Sequence, residues 1–150
     1  MTTLRSAPQS RTRHAWPLSG DARTVGHART IIRDLLTELD VRPDLVDDAV
    51  LMVSELVTNA LLYGDAPYEM AVHAGSREIV CVVVDSGRLL PAPRMPESGD
   101  ERGRGLHIVA ALSDGFYGCH PQRYLTSPER TGKATWFALP HGTGSLIVRT

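Results

Sequence analysis

Residues 43–85 read PDLVDDAVLMVSELVTNALLYGDAPYEMAVHAGSREIVCVVVD, and the fold turns on a change of period inside this stretch. Leu45, Val46, Ala49, Val50, Val53, Leu56, Val57, Ala60 and Leu61 recur at three- and four-residue intervals, which predicts a helix buried nearly all round. Pro43 suits the first turn of that helix and Gly64 its end. Beyond Pro67 the period changes. Tyr68–Ala74 and Glu78–Asp85 read as two strands, and Gly75-Ser76-Arg77 suits the hairpin loop between them.

Upstream, Val25, Ala28, Ile31, Ile32, Leu35, Leu36 and Leu39 predict an amphipathic helix that Asp21 caps. His14–Leu18 predicts a short strand before it, and Pro17 favours a sheet edge. Downstream, Ser86–Arg102 is rich in Pro, Gly, Arg and acidic residues and reads as a long loop. Gly103-Arg104-Gly105 then turns into a short helix over 106–112, and Phe116–His120 and Ala134–Leu139 read as strands around a turn-rich segment, 121–133. Strands and helices do not alternate strictly, which disfavours a doubly wound parallel sheet. The expectation is α+β, with three helices on one face of a mixed, largely antiparallel sheet.

A chain of 150 residues suits one domain that can bury its own core. Sixteen Lys plus Arg against seventeen Asp plus Glu leave a net charge of −1, which argues against nucleic-acid binding, and the basic N-terminal residues Arg5, Arg11 and Arg13 are interrupted by Ser, Thr, Pro and Gln. Cys81 and Cys119 fall in apolar or aromatic runs and read as buried, reduced thiols, while the six histidines show no ligand spacing. No signal peptide and no apolar run near the ~20 residues that span a bilayer is read, so no membrane partner and a cytoplasmic protein are expected.

Glu55 and Asn59 stand four apart, on one face of an otherwise apolar helix. Burying a carboxylate alone is costly, so either they pair structurally or they line a cavity that holds water or a cation. In such a cavity the carboxylate can deprotonate a hydroxyl and the Asn carbonyl can ligate magnesium. Asp85 ends the Val-rich strand before Ser86-Gly87; it is either a turn Asp or a pocket carboxylate able to accept a hydrogen bond from an exocyclic amine such as that of adenine. Gly103-Arg104-Gly105 before a helix lets backbone amides approach phosphate oxygens, although two glycines in a turn carry little by themselves.

In their order, Ser54-Glu55-Leu56-Val57-Thr58-Asn59-Ala60, Val84-Asp85-Ser86-Gly87 and Gly103-Arg104-Gly105-Leu106 resemble the three boxes of the GHKL ATPases, and Gly132-Lys133-Ala134-Thr135-Trp136 resembles that superfamily's last motif. The resemblance covers roughly residues 20–140 and, within the superfamily, is similar to the bacterial anti-sigma-factor serine kinases. It implies a two-layer Bergerat sandwich over 13–141, with tails at 1–12 and 142–150. It implies ATP and magnesium as cofactors, with Asn59 holding the metal, Glu55 acting as catalytic base, Asp85 reading adenine, and Gly87, Gly103, Arg104, Gly105, Leu106 and Thr135 at the nucleotide. The 86–102 loop would close as a lid.

The implied partners are a sigma factor and a competing anti-anti-sigma (STAS-type) protein phosphorylated on serine; a homodimer through the strand around Trp16 and Leu18 is compatible. One departure concerns the first glycine box, where Arg88 and Leu89 stand in place of a second glycine two positions on, altering the start of the lid. A non-catalytic, nucleotide-dependent protein-binding module is therefore the alternative. A detached sensor-kinase ATPase domain ranks last, because no phosphoacceptor helix is read before it.

Overall fold

A computed structural model describes residues 12–87 and 101–141, the side chains of 101–106 apart. In chain order the elements are β1 (Thr12–Leu18), α1 (Arg23–Glu38), α2 (Pro43–Tyr63), β2 (Tyr68–Ala74), β3 (Glu78–Asp85), α3 (Glu101–Leu112), β4 (Tyr117–Arg123) and β5 (Thr131–Pro140). The five strands form one sheet in the order β1-β2-β3-β5-β4, and every neighbouring pair is antiparallel. The α+β expectation holds, and the described sheet has no parallel pairing. β3 and β4 run in the same direction with β5 inserted between them, so α3 is the crossover that carries the chain from one to the other.

The helices cover one face. α2 packs on α1, on α3, and on the central strands β3 and β5. Ile32, Leu36, Met52, Val53, Val57 and Val109 from the helices meet Met70, Val72, Ile79, Cys81, Val83, Phe137 and Leu139 from the sheet. Burying such side chains stabilises the fold by ~1.5–3 kcal/mol each. α2 is not buried all round as its composition predicts: Leu51 and Leu62 are 44% and 60% exposed. They lie on its outer stripe, which no described element covers. At the start of α1 the N-cap is Ala22, with no side-chain cap, and not Asp21 as expected; Asp21 lies one residue further out and its carboxylate accepts from Arg23 N–H at 2.9 Å.

The second face explains why β3 is apolar on both sides. Ala71, Val82, Val84 and Ala134 pack there under Tyr124, with Leu125 and Trp136 at the margin. The segment that supplies Tyr124 and Leu125 is tied down by Glu69, whose fully buried carboxylate accepts from Leu125 N–H (2.9 Å), Thr126 N–H (2.8 Å) and Thr126 Oγ1 (2.7 Å). β4 extends through Pro121 to Arg123, beyond the predicted end at His120. It is an edge strand, where a residue lacking an N–H is tolerated.

Tyr124 gives a test of this second layer. Its hydroxyl donates to Pro67 O at 2.7 Å. Burial first, then the charges of Asp85 and Glu69, push its pKa from 10.0 up to about 12. A phenol with a raised folded-state pKa contributes stability that is complete below the unfolded value and is lost as pH rises through the folded one. Tyr124→Phe is expected to cost about 1 kcal/mol at neutral pH. It should also flatten the fall in melting temperature between pH 10 and about 12, read by thermal denaturation.

Candidate functional site

The most enclosed charged group on the helix-covered face is Asp85, at the C-terminal end of β3. The residue is 4% exposed. Its Oδ1 accepts the Gly87 N–H at 2.7 Å and lies 3.6 Å from Lys133 Nζ, whose side chain is nine-tenths buried. Among the described residues no hydrogen bond reaches Oδ2. Two glycines make room for the carboxylate: a Cβ on Gly64 would stand 2.4 Å from the Asp85 carboxyl carbon, and one on Gly87 would stand 2.9 Å from Oδ1. Real Cβ atoms do not approach so closely. Gly64, read from the sequence only as a helix end, is thus part of the carboxylate's cradle.

The loop after β3 is also stitched to the loop after α2. Ser86 N–H donates to Asp65 O at 2.8 Å, and the Ser86 hydroxyl donates to Ala66 O at 2.5 Å. This fixes the C-terminal end of α2 against the end of β3. Asn59 lies five residues before Gly64, about 7–8 Å along the helix axis, and Glu55 one turn further back. Both are half-buried, and among the described residues neither makes a hydrogen bond or ion pair. The structural-pairing alternative therefore has no partner in the described set. Ser54 marks the α1 side of α2, accepting from Arg29 Nε at 2.7 Å. Helical rotation of 100° per residue turns Glu55 and Asn59 away from that side of α2.

On β5, Lys133 stands opposite Asp85 and Thr135 opposite Val83, so both share the face of Asp85. Cys119 on β4 stands opposite Thr135, with Sγ 3.6 Å from its hydroxyl. Cys119 is only half-buried, unlike the fully buried Cys81, because an edge strand is covered from fewer sides. Burial raises both thiols, that of Cys81 to about 12, while the Thr135 contact works against the rise at Cys119.

Gly103, Arg104, Gly105 and Leu106 are placed differently from the expectation. α3 begins at Glu101, so these four residues lie inside its first turns and not in a turn ahead of it. Helix termini tolerate glycine, and a glycine in a helix costs only ~1 kcal/mol. The amides left without helical partners are then those of the first three residues, Glu101 to Gly103; from Arg104 on they enter the i→i−4 ladder, as Val46, the fourth residue of α2, does with Arg42 O. Arg88 and Leu89, and the body of the expected lid, lie outside the described residues, as do the tails 1–11 and 142–150.

A cavity of about 420 Å³ opens between α1 and α2, lined by Arg29, Arg33, Asp47, Leu51 and Ser54 among others. It contains none of Glu55, Asn59, Asp85, Lys133 or Thr135, and two of its polar pairs bond across it, Arg29 with Ser54 at 2.7 Å and Arg33 with Asp47 at 3.1 Å. It is a separate groove on the opposite flank of α2. Among the described residues no helix is long and apolar enough to cross a membrane.

The family model for the histidine kinase-like ATPase domain matches residues 18–132. No curated protein matches the sequence. The matched stretch contains Glu55, Asn59, Asp85, Gly87 and Gly103–Leu106, and it ends one residue before Lys133.

Proposed function

We propose, starting from the fact that the chain belongs to the histidine kinase-like ATPase domain family of the GHKL superfamily, that it is an ATP-binding regulatory kinase of the anti-sigma-factor type. The observation that carries the nucleotide reading is the buried Asp85 carboxylate, cradled by two glycines at the foot of the helix that bears Asn59 and Glu55. A carboxylate in such a cradle, with one oxygen not engaged by described donors, fits an exocyclic amine.

Asn59 would hold magnesium through its side-chain carbonyl oxygen, and its half-exposed position without a described partner fits a hard cation. When bound, the metal supplies charge neutralisation on the phosphates. The α3 first turn offers backbone amides at the positive end of a helix dipole for phosphate oxygens, with Gly103 and Arg104 within it. Thr135 shares the Asp85 face of the sheet, opposite Val83, and in this reading contacts the nucleotide. Glu55 takes the proton of a partner serine hydroxyl as that oxygen bonds to the γ-phosphorus; the bond to the β–γ bridging oxygen breaks and ADP leaves. Such a transfer depends chiefly on positioning and electrostatics.

The partner pair in this reading is a sigma factor, held in one nucleotide state, and a STAS-type antagonist that receives the phosphoryl group. Arg88 and Leu89 in the first glycine box support the second reading, a module that binds nucleotide and changes partner affinity without transfer. Calorimetry with ATP tests the shared premise: binding that weakens when magnesium is chelated supports it, and no binding with magnesium defeats both readings. Asn59→Ala is expected to lower ATP affinity about tenfold, the cost of one charge-assisted contact of ~1.5 kcal/mol. That loss should appear with magnesium and vanish in chelator, which a general folding defect would not reproduce.

A further inference from the structure

The cradle of Asp85 lies on the helix-covered face, yet the loop that completes it is held from behind the sheet. Residues 64–67 join α2 to β2, and Gly64 stands so near the Asp85 carboxylate that an added Cβ would fall 2.4 Å from its carboxyl carbon. Packing of that closeness leaves no slack, so a shift of the loop moves the carboxylate or opens a gap beside it.

Beyond the helical bond from Gly64 N–H to Ala60 O, two side chains tie the loop among the described residues. Ser86 donates to Ala66 O, but Ser86 is exposed and water competes for that bond. The Tyr124 hydroxyl donates to Pro67 O at 2.7 Å from a residue that is only 2% exposed. The Ser86 side chain is a further hydrogen-bonding neighbour of the same phenol, so the two ties converge beside Asp85.

Tyr124 is itself firmly seated. Its ring packs against the backbone at Gly132, where a Cβ would stand 2.8 Å from ring carbon Cε1 and 2.6 Å from the Asp85 carbonyl oxygen. That glycine lets the ring and the end of β3 approach one another. Glu69 then fixes the next two residues, Leu125 and Thr126, through its fully buried carboxylate. The phenol is thus held at its ring and at the backbone that follows it, and the loop takes its position from the phenol.

We propose that Tyr124, on the far face of the sheet, is a positioning residue for the base site: through Pro67 it holds the 64–67 loop so that Gly64 keeps the Asp85 carboxylate where it accepts the exocyclic amine of the base. Small misplacements of a binding group are costly, which gives a remote tie its effect. The inference rests on the ATP reading and on Asp85 as the acceptor of that amine. Tyr124 itself touches no nucleotide in this arrangement, because its side chain packs with Ala71, Val82 and Val84 on the other face.

The experiment measures, by calorimetry with magnesium, the binding of ATP and of purine riboside triphosphate, in which hydrogen replaces the exocyclic amine. The proteins are the unaltered chain, Tyr124→Phe and Ile32→Val. The analogue cannot make the Asp85 contact and so reports the rest of the site. On the unaltered protein ATP is expected to bind about tenfold or more tighter than the analogue, the worth of a hydrogen bond to a charged group. Tyr124→Phe keeps the ring on Gly132 and removes only the hydroxyl. In it ATP affinity is expected to fall about three- to fivefold, a partial loss of that bond, while affinity for the analogue stays unchanged. Ile32→Val trims one methyl from the helix-side core at a comparable cost in stability, and should leave the preference for ATP at its unaltered value. Equal losses for both nucleotides in Tyr124→Phe, or no loss for either, overturn the role of Tyr124 and leave the ATP reading standing. A preference narrowed as much by Ile32→Val also overturns it, since general loosening then suffices. If the unaltered protein binds both nucleotides equally, the Asp85 contact and this inference fall together, and failure of that protein to bind ATP overturns the ATP reading as well.

Discussion

Asp85→Asn is expected to weaken ATP binding by about 100-fold, the equivalent of about 3 kcal/mol. The change is nearly isosteric, so the cradle of Gly64 and Gly87 remains filled. The Asn carbonyl still accepts from Gly87 N–H, which orients the side chain and turns its NH₂ towards the position that Oδ2 holds. A base amine arriving there meets a donor in place of an acceptor. One charge-assisted hydrogen bond is lost and one unsatisfied donor is left, and the two effects add. Lys133 also loses its countercharge, so the melting temperature should fall. The double variant Asp85→Asn/Lys133→Met separates the two consequences: removing the buried ammonium together with its Asp85 countercharge should recover stability without recovering ATP affinity. ATP affinity unchanged in Asp85→Asn would remove Asp85 from the base site.

Much of this site was legible because its parts are local. Period in the 43–85 stretch located α2, β2 and β3, and their observed bounds are Pro43–Tyr63, Tyr68–Ala74 and Glu78–Asp85. A spacing of four put Glu55 and Asn59 on one helical face, and the burial pattern of α2 agrees. Lys133, Gly64 and Glu69 were not legible as site or frame residues, because each acts through a contact made only when distant segments pack. Lys133 meets Asp85 through strand register. Gly64 is needed as glycine because of the Asp85 carboxylate, not because of the helix it ends. Glu69 looked like one polar residue in a strand, yet it anchors Leu125 and Thr126 across the second face. A buried Glu in a run such as Tyr68–Ala74 is the available signal, since a carboxylate is placed there only with donors to meet it.

The start of α3 was misjudged for a different reason. Two glycines within three residues read as a turn, whereas the helix takes them into its first turns, where the flanking amides have no helical partners to lose. The functional consequence is a shift of the free amides towards Glu101–Gly103. Any phosphate contact would then be made nearer the residues that join the lid segment to α3.

Glu55→Ala is expected to slow phosphoryl transfer to a partner serine by about 10²–10⁴-fold, the usual contribution of a general base, while ATP affinity changes little. The separation follows from position. Glu55 lies one helical turn, ~5–6 Å, beyond Asn59 from the Asp85 cradle, so the contacts proposed for Asp85 and Asn59 do not depend on it. Its side chain is half-buried and has no described partner, so truncation orphans no group. Alanine is the better helix former, and stability should hold or rise slightly. Glu55→Gln keeps the volume and removes only the basicity, and should lose transfer to the same extent. The measurement is transfer of label from γ-labelled ATP to a protein that co-purifies with the chain, run beside calorimetry on the same preparations. Transfer lost with binding retained assigns the base. Transfer unaffected in both variants removes Glu55 from the chemistry, and ATP binding without transfer by the unaltered protein favours the module, in which Glu55 fills the same helical position with no proton to accept.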